Sequence, residues 1–213
     1  MTTAKPREPA MPGPYSVLLV EDDLALSGYL ASSLIDAGYA VQSVSHRAEA
    51  GLRLALAPQP QLMLLDLGLP PHASGMGEGL AVLDDALQKS PAIKAIVLTG
   101  QDEDAAALEA IRRGAFDFLV KPASLASIHS ALSRAKLFHH AEGRMTAAGE
   151  ARLQLTARLR EGPKEAASSA EEQLLRRTWV AAGYNVAEVA RQLGMAREHV
   201  YYYLNKYGFR RPD

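Results

Sequence analysis

The chain has 213 residues, enough for one or two domains, and its 48% hydrophobic and 22% charged content is that of an ordinary soluble globular protein. It contains no cysteine, which excludes a disulfide framework, a thiolate metal site and a cysteine nucleophile together. The formal net charge of -1 hides an asymmetry: residues 1–140 carry 11 Lys and Arg against 15 Asp and Glu, and residues 171–213 carry 7 against 5, so an acidic front and a mildly basic tail point to different partners.

Residues 1–14 contain Lys5, Arg7 and four prolines but no apolar stretch of the kind a signal peptide needs, and they read as a disordered lead-in. No apolar run approaches the roughly 18 residues that span a bilayer, so a cytoplasmic protein without a membrane partner is expected. From there the front half alternates short apolar runs with amphipathic stretches. Residues 15–20, 40–44, 62–65, 95–98 and 116–120 read as buried strands. Helical patterns fall near 24–37, 47–57, 79–89, 102–113 and 123–138. Strands at this spacing indicate βαβ units, a parallel sheet and an α/β domain over residues 15–138.

After about residue 140 the pattern changes. Residues 139–167 read as a helical linker, its stretch 141–161 rich in Ala, Arg, Leu and Glu and ended by Gly162 and Pro163. Ser168 and Ser169 stand three residues before Glu171 and Glu172, a capping-box signature that predicts a new helix carrying Leu174, Leu175 and Trp179. Asn185 caps a second helix that ends at Gly194, and a third runs from about Ala196 to Tyr207. Residues 168–213 therefore read as a small all-α domain.

A doubly wound sheet gathers its functional groups where the strands end at their carboxyl side. Those positions hold Glu21 and Asp22, Asp66, Thr99 and Lys121. Three carboxylates so close together repel, and a hard divalent cation with oxygen ligands, most simply Mg²⁺, relieves them. Lys121 adds a fixed positive charge and Thr99 a hydroxyl donor. Such a set can hold a phosphoryl group in line with Asp66 as nucleophile. Asp23, just beyond the acidic pair, reads as a helix cap. Phe118 is equally readable as core. His46, His72, His129, His139 and His140 show no ligand spacing and are expected to be solvated.

The blocks Leu18-Leu19-Val20-Glu21-Asp22, Leu64-Leu65-Asp66-Leu67-Gly68-Leu69-Pro70, Leu98-Thr99-Gly100 and Gly114-Ala115-Phe116-Asp117-Phe118-Leu119-Val120-Lys121-Pro122 resemble the bacterial receiver domain. The resemblance implies a (βα)₅ doubly wound fold and phosphotransfer to Asp66 from a sensor histidine kinase. It implies Mg²⁺ held by Asp22, Asp66 and the Gly68 carbonyl, with Glu21 acting through water and Lys121 pairing with phosphoryl oxygens. Thr99 and Phe118 match the family's switch pair. One departure is the segment 71–78, longer than the usual loop after the phosphoacceptor strand.

Residues 185–208 have helix-turn-helix logic, with Val189, Ala190 and Leu193 on one apolar stripe and Val200, Leu204 and Tyr207 on the next. Asn185, Ala190, Leu193, Gly194, Arg197, Leu204 and the run Lys206-Tyr207-Gly208 resemble the Fis-type tail of NtrC-like regulators. The resemblance implies a homodimer reading double-stranded DNA through Ala196, Arg197, His199, Tyr201, Tyr202 and Lys206. No Gly-x-x-x-x-Gly-Lys-Ser/Thr loop occurs, so no ATPase domain is expected. The layout is similar to the RegA/PrrA/ActR redox regulators. Tyr201 and Tyr202 stand where the family often has basic residues and are also readable as packing. That leaves a second reading open, a phosphorelay or interaction adaptor whose C-terminal helices only dimerise. An enzyme turning over an external substrate is not expected, because no second catalytic constellation accompanies the pocket.

Overall fold

A computed structural model of the chain describes residues 13–71, 75–100, 104–156, 160 and 162–211. Five strands, β1 (Ser16–Val20), β2 (Ala40–Val44), β3 (Leu62–Asp66), β4 (Lys94–Thr99) and β5 (Asp117–Val120), form one parallel sheet in the order β2-β1-β3-β4-β5. The connecting helices are α1 (Leu24–Asp36), α2 (Arg47–Ala55), α3 (Gly77–Lys89) and α4 (Asp104–Arg113), with α5 (Leu125–Ala147) following the last strand.

The central strands are apolar on both faces because both faces are covered. Alternate residues point to opposite sides. Leu18, Val20, Met63, Leu65 and Val97 pack with α2, α3 and α4, while Val17, Leu19, Leu62, Leu64 and Ile96 pack with α1 and α5. Each fully buried aliphatic side chain contributes about 1.5–3 kcal/mol, so these two layers hold the domain. Asp23 does cap α1, its Oδ1 accepting from the amides of Ala25 and Leu26 at 2.9 and 3.0 Å.

Beyond the sheet the expected boundaries need correction. Helix α5 runs nine residues past 138, because its inward stripe of Ile128, Leu132 and Ala135 continues to Glu142. It stops at Ala148, followed by Gly149 with φ +81. Residues 150–156 are not helical, so the linker is a helix extension and an irregular connector instead of one helix. Helix α6 (Pro163–Ala181) starts at Gly162 and Pro163, a proline in the first turn where its missing N–H costs nothing, and Ser168 and Ser169 lie inside it instead of capping it. Helices α7 (Val186–Leu193) and α8 (Arg197–Lys206) follow as expected. The Asn185 side chain accepts from the amides of Ala187 and Glu188, and Gly194, with φ +64, makes the turn between them. Trp179, Val189, Ala190, Val200 and Leu204 form a separate small core.

Helix α3 also begins two residues earlier than expected, at Gly77, shortening the 71–78 excursion; residues 72–74, including His72, lie outside the described ones, as do 1–12 of the lead-in. Its Gly79 sits so close to β3 that a Cβ there would stand 2.4 Å from the Leu67 Cα. Gly79→Ala must therefore push α3 away from the residue after Asp66, with an expected loss of about 1–3 kcal/mol in urea unfolding. Gly77→Ala, with open space around its Cβ, should stay within about 1 kcal/mol of wild type.

Candidate functional site

The strand order reverses direction of winding between β1 and β3, and a parallel sheet opens a crevice at the carboxyl ends of such a pair. Glu21 and Asp22 follow β1, and Asp66 ends β3, so the acidic residues stand on both lips of that crevice. Carboxylate oxygens of Glu21, Asp22 and Asp66 lie within 4.8 Å of one another. Glu21 and Asp66 are buried, at 2% and 7% exposure, while Asp22 is half-buried.

Lys121, just after β5, closes the crevice. Its Nζ is 2.7 Å from Asp66 Oδ2 and 3.3 Å from Glu21 Oε2. Its own amide donates to the Thr99 carbonyl at 2.7 Å, which ties the β5 end to the β4 end. The Gly68 amide donates to Asp66 Oδ1 at 3.1 Å, fixing the other oxygen of the same carboxylate. Burial, and then the negative charge of Asp66, push the Glu21 carboxyl above its ordinary value despite Lys121. Burial alone would depress the Lys121 ammonium, but its hydrogen bond and attraction to Asp66, with help from Glu21, raise it above the ordinary lysine range. The pocket therefore keeps its lysine charged and holds more negative charge than one lysine neutralises.

Two further features fit a bound group. Thr99 Oγ1 is buried and, among the described residues, makes no hydrogen bond, which is costly for a hydroxyl. The trio of hard oxygen donors suits a divalent cation such as Mg²⁺ in kind. The structure thus brings together Glu21, Asp22, Asp66, Gly68 and Lys121, with Thr99 at the adjoining strand end. Phe118 lies apart, on edge strand β5 and 40% exposed, so it is not core. His139 is half-buried edge-on to Tyr15 and His129 bonds the Ser33 hydroxyl at 2.9 Å, so these two histidines are not simply solvated.

In the tail, Ala196 is the N-cap of α8, and Arg197, His199, Tyr201 and Tyr202 are exposed along it. Lys206 is engaged by Glu171 of α6 at 3.0 Å and lies over the Tyr207 ring. Sequence reasoning missed a second charged cluster, Lys94, Glu142, Arg152 and Arg177. A lysine opening an otherwise apolar strand was the available signal.

The family model described as response regulator receiver domain matches residues 17–133. The chain is 36% identical over 117 residues to the acid tolerance regulatory protein ActR of Sinorhizobium medicae, covering 55% of this chain and 57% of that one. It is 33% identical over 126 residues to the KDP operon transcriptional regulatory protein KdpE of Escherichia coli K12, covering 59% and 53%. The match thus spans a little over half the length of each. A CheY-like response regulator receiver domain protein from Methanospirillum hungatei superposes with a TM-score of 0.54 at 22% identity, covering 61% of this chain and 99% of that one, which is a likeness of fold. Thr99→Val tests the unpartnered hydroxyl. Without ligand, its unfolding free energy in urea should equal or exceed wild type by up to about 1 kcal/mol, whereas a clear loss would mean the hydroxyl has a protein partner.

Proposed function

Because the chain belongs to the response regulator receiver family, we propose that it is a cytoplasmic phosphorylation switch in which Asp66 takes a phosphoryl group from a sensor histidine kinase and the C-terminal helices respond by binding DNA. The observation that carries the first half is the Asp66 carboxylate held at 2.7 Å by Lys121 inside a crevice shared with Glu21 and Asp22. In the transfer, an Asp66 oxygen attacks phosphorus, the bond from phosphorus to the donor histidine nitrogen breaks, and an acyl phosphate results. The side chains of Glu21, Asp22 and Asp66 and the Gly68 carbonyl would hold Mg²⁺, with Glu21 acting through water, and the bound ion neutralises charge on the phosphoryl oxygens.

Lys121 transfers its pairing to the phosphoryl oxygens as the carboxylate it held at 2.7 Å becomes the uncharged acyl end of a mixed anhydride. Thr99 finds in those oxygens the acceptor its hydroxyl lacks, and Phe118, exposed at rest, turns inward behind it. To take a receiver from 1:99 to 99:1 in favour of the active form, these contacts must differ by about 5.5 kcal/mol between the two states. Charge-assisted hydrogen bonds of about 1.5–3 kcal/mol each are of the required order.

For the second half, α7 and α8 fit a helix-turn-helix whose α8 enters the major groove. A two-fold homodimer would then read half-sites roughly 34 Å apart or a multiple of that. Arg197 at the start of α8 suits bidentate contact with guanine. Ala196, His199, Tyr201 and Tyr202 complete the face, and Lys206 reaches it only by leaving Glu171. Few free positive charges imply a shallow salt dependence. The same scarcity, with exposed Tyr201 and Tyr202, favours the second reading of an adaptor whose tail only dimerises.

Treated with a small-molecule acyl phosphate and Mg²⁺, wild type should gain one phosphoryl group per chain by mass spectrometry, labile to base and to hydroxylamine, and Asp66→Asn none; modification of the variant at position 66 would refute the site. Arg197→Ala should weaken specific DNA binding by about 1–3 kcal/mol in gel-shift titrations. Equal binding by both proteins would move the reading helix elsewhere, and no DNA binding at any salt concentration would leave the adaptor.

A further inference from the structure

The C-terminal helices meet the receiver at the end of the sheet opposite Asp66, around one buried carboxylate. Glu142, in the extension of α5, accepts on Oε2 from Lys94 Nζ at 2.7 Å and from Arg177 Nη2 at 2.9 Å. Its Oε1 accepts from Arg152 Nη1 at 3.0 Å. Arg177 also donates to the Arg152 carbonyl, and the Arg152 guanidinium lies over the Phe138 ring. Gln154 and Gln173 exchange a further pair of backbone to side-chain bonds. One side chain thus joins strand β4, helix α5, the connector and helix α6.

The cluster is unbalanced, with three cations on a single anion. Burial, reinforced by the two guanidinium groups, holds the Lys94 ammonium below its ordinary value, and burial with Lys94 does the same to the neighbouring His139 imidazole. Burial works to raise the Glu142 carboxyl, but Lys94, Arg177 and Arg152 prevail and lower it. Removing the anion would strand several cations, and removing one arginine would relieve repulsion while opening the joint. Such a joint is firm yet close to balance.

We infer that Glu142 is a latch that docks the C-terminal helices on the base of the receiver, and that its hold responds to the state of the Asp66 site. Strand β4 begins at Lys94 in the latch and ends at Thr99 in the crevice. The end of α4, at Arg113 and Gly114, lines a cleft of about 410 Å³ between receiver and α6 that Lys94 and Arg177 of the latch also line, so a shift of that helix would reshape the space beside the joint. In the docked arrangement Arg197, His199, Tyr201 and Tyr202 remain exposed. The latch therefore sets where α8 points, and does not cover it. The second clause of the inference rests on the phosphoacceptor reading; the first does not.

Trp179, the single tryptophan, is buried in α6 and reports how that unit tumbles. Time-resolved fluorescence anisotropy of the full chain should show one slow correlation time in wild type. Arg177→Met, and separately Arg152→Met, should add a component at most half as long, with the thermal midpoint of the receiver unchanged. A decay identical to wild type in both variants overturns the latch. Beryllium fluoride with Mg²⁺ should produce the same fast component in wild type and not in Asp66→Asn. If wild type forms the acyl phosphate but its anisotropy does not respond, the coupling is overturned while Asp66 stands; if no acyl phosphate forms, the phosphoacceptor reading falls and the coupling with it, and the two arginine variants still decide the latch.

Discussion

Everything at the upper rim of the sheet follows from the mutual repulsion of carboxylates that the fold forces into one crevice. The strand order puts the ends of β1 and β3 side by side, so Glu21 and Asp66 are buried next to each other, and among the described residues Lys121 is the one cation paired with them. An arrangement of this kind is costly to build and is neutral only when cations arrive. That unmet charge, together with a hydroxyl that has no partner among the described residues, is what the proposed metal and phosphoryl group would satisfy.

The receiver half was largely legible in the residues. Strands buried on both faces leave unbroken apolar runs, and each of the five runs became a strand shifted by no more than one residue at either end. The pocket was legible for the same reason, since polar residues that interrupt such runs have nowhere to go but the rim. The linker was not, because composition rich in Ala, Arg, Leu and Glu speaks for helix regardless of where a glycine stops it. Gly149 set the boundary that composition could not, whereas the break at Gly162 and Pro163 was legible. The pattern at Ser168 and Ser169 misled because Gly162 and Pro163 had already started the helix upstream.

Glu142 was invisible for a different reason. A charged residue in an exposed-looking helix extension reads as solvated, and its partners lie 48 residues before it and 35 after it. Only the three-dimensional return of α6 to the base of the sheet turns it into a buried group. The two ends of β4 therefore stand beside two buried charged clusters, one short of positive charge and one oversupplied with it.

The core of the C-terminal helices is small, resting on Trp179, Val189, Ala190, Val200 and Leu204, and even the Trp179 Nε1 lacks a partner among the described residues. A unit of this size buries a modest fraction of its surface, and it sits at the lower limit of independent stability. Its persistence is then partly borrowed from whatever it leans on. Any surface that binds the folded form of this unit would share that role and shift folding toward order by mass action.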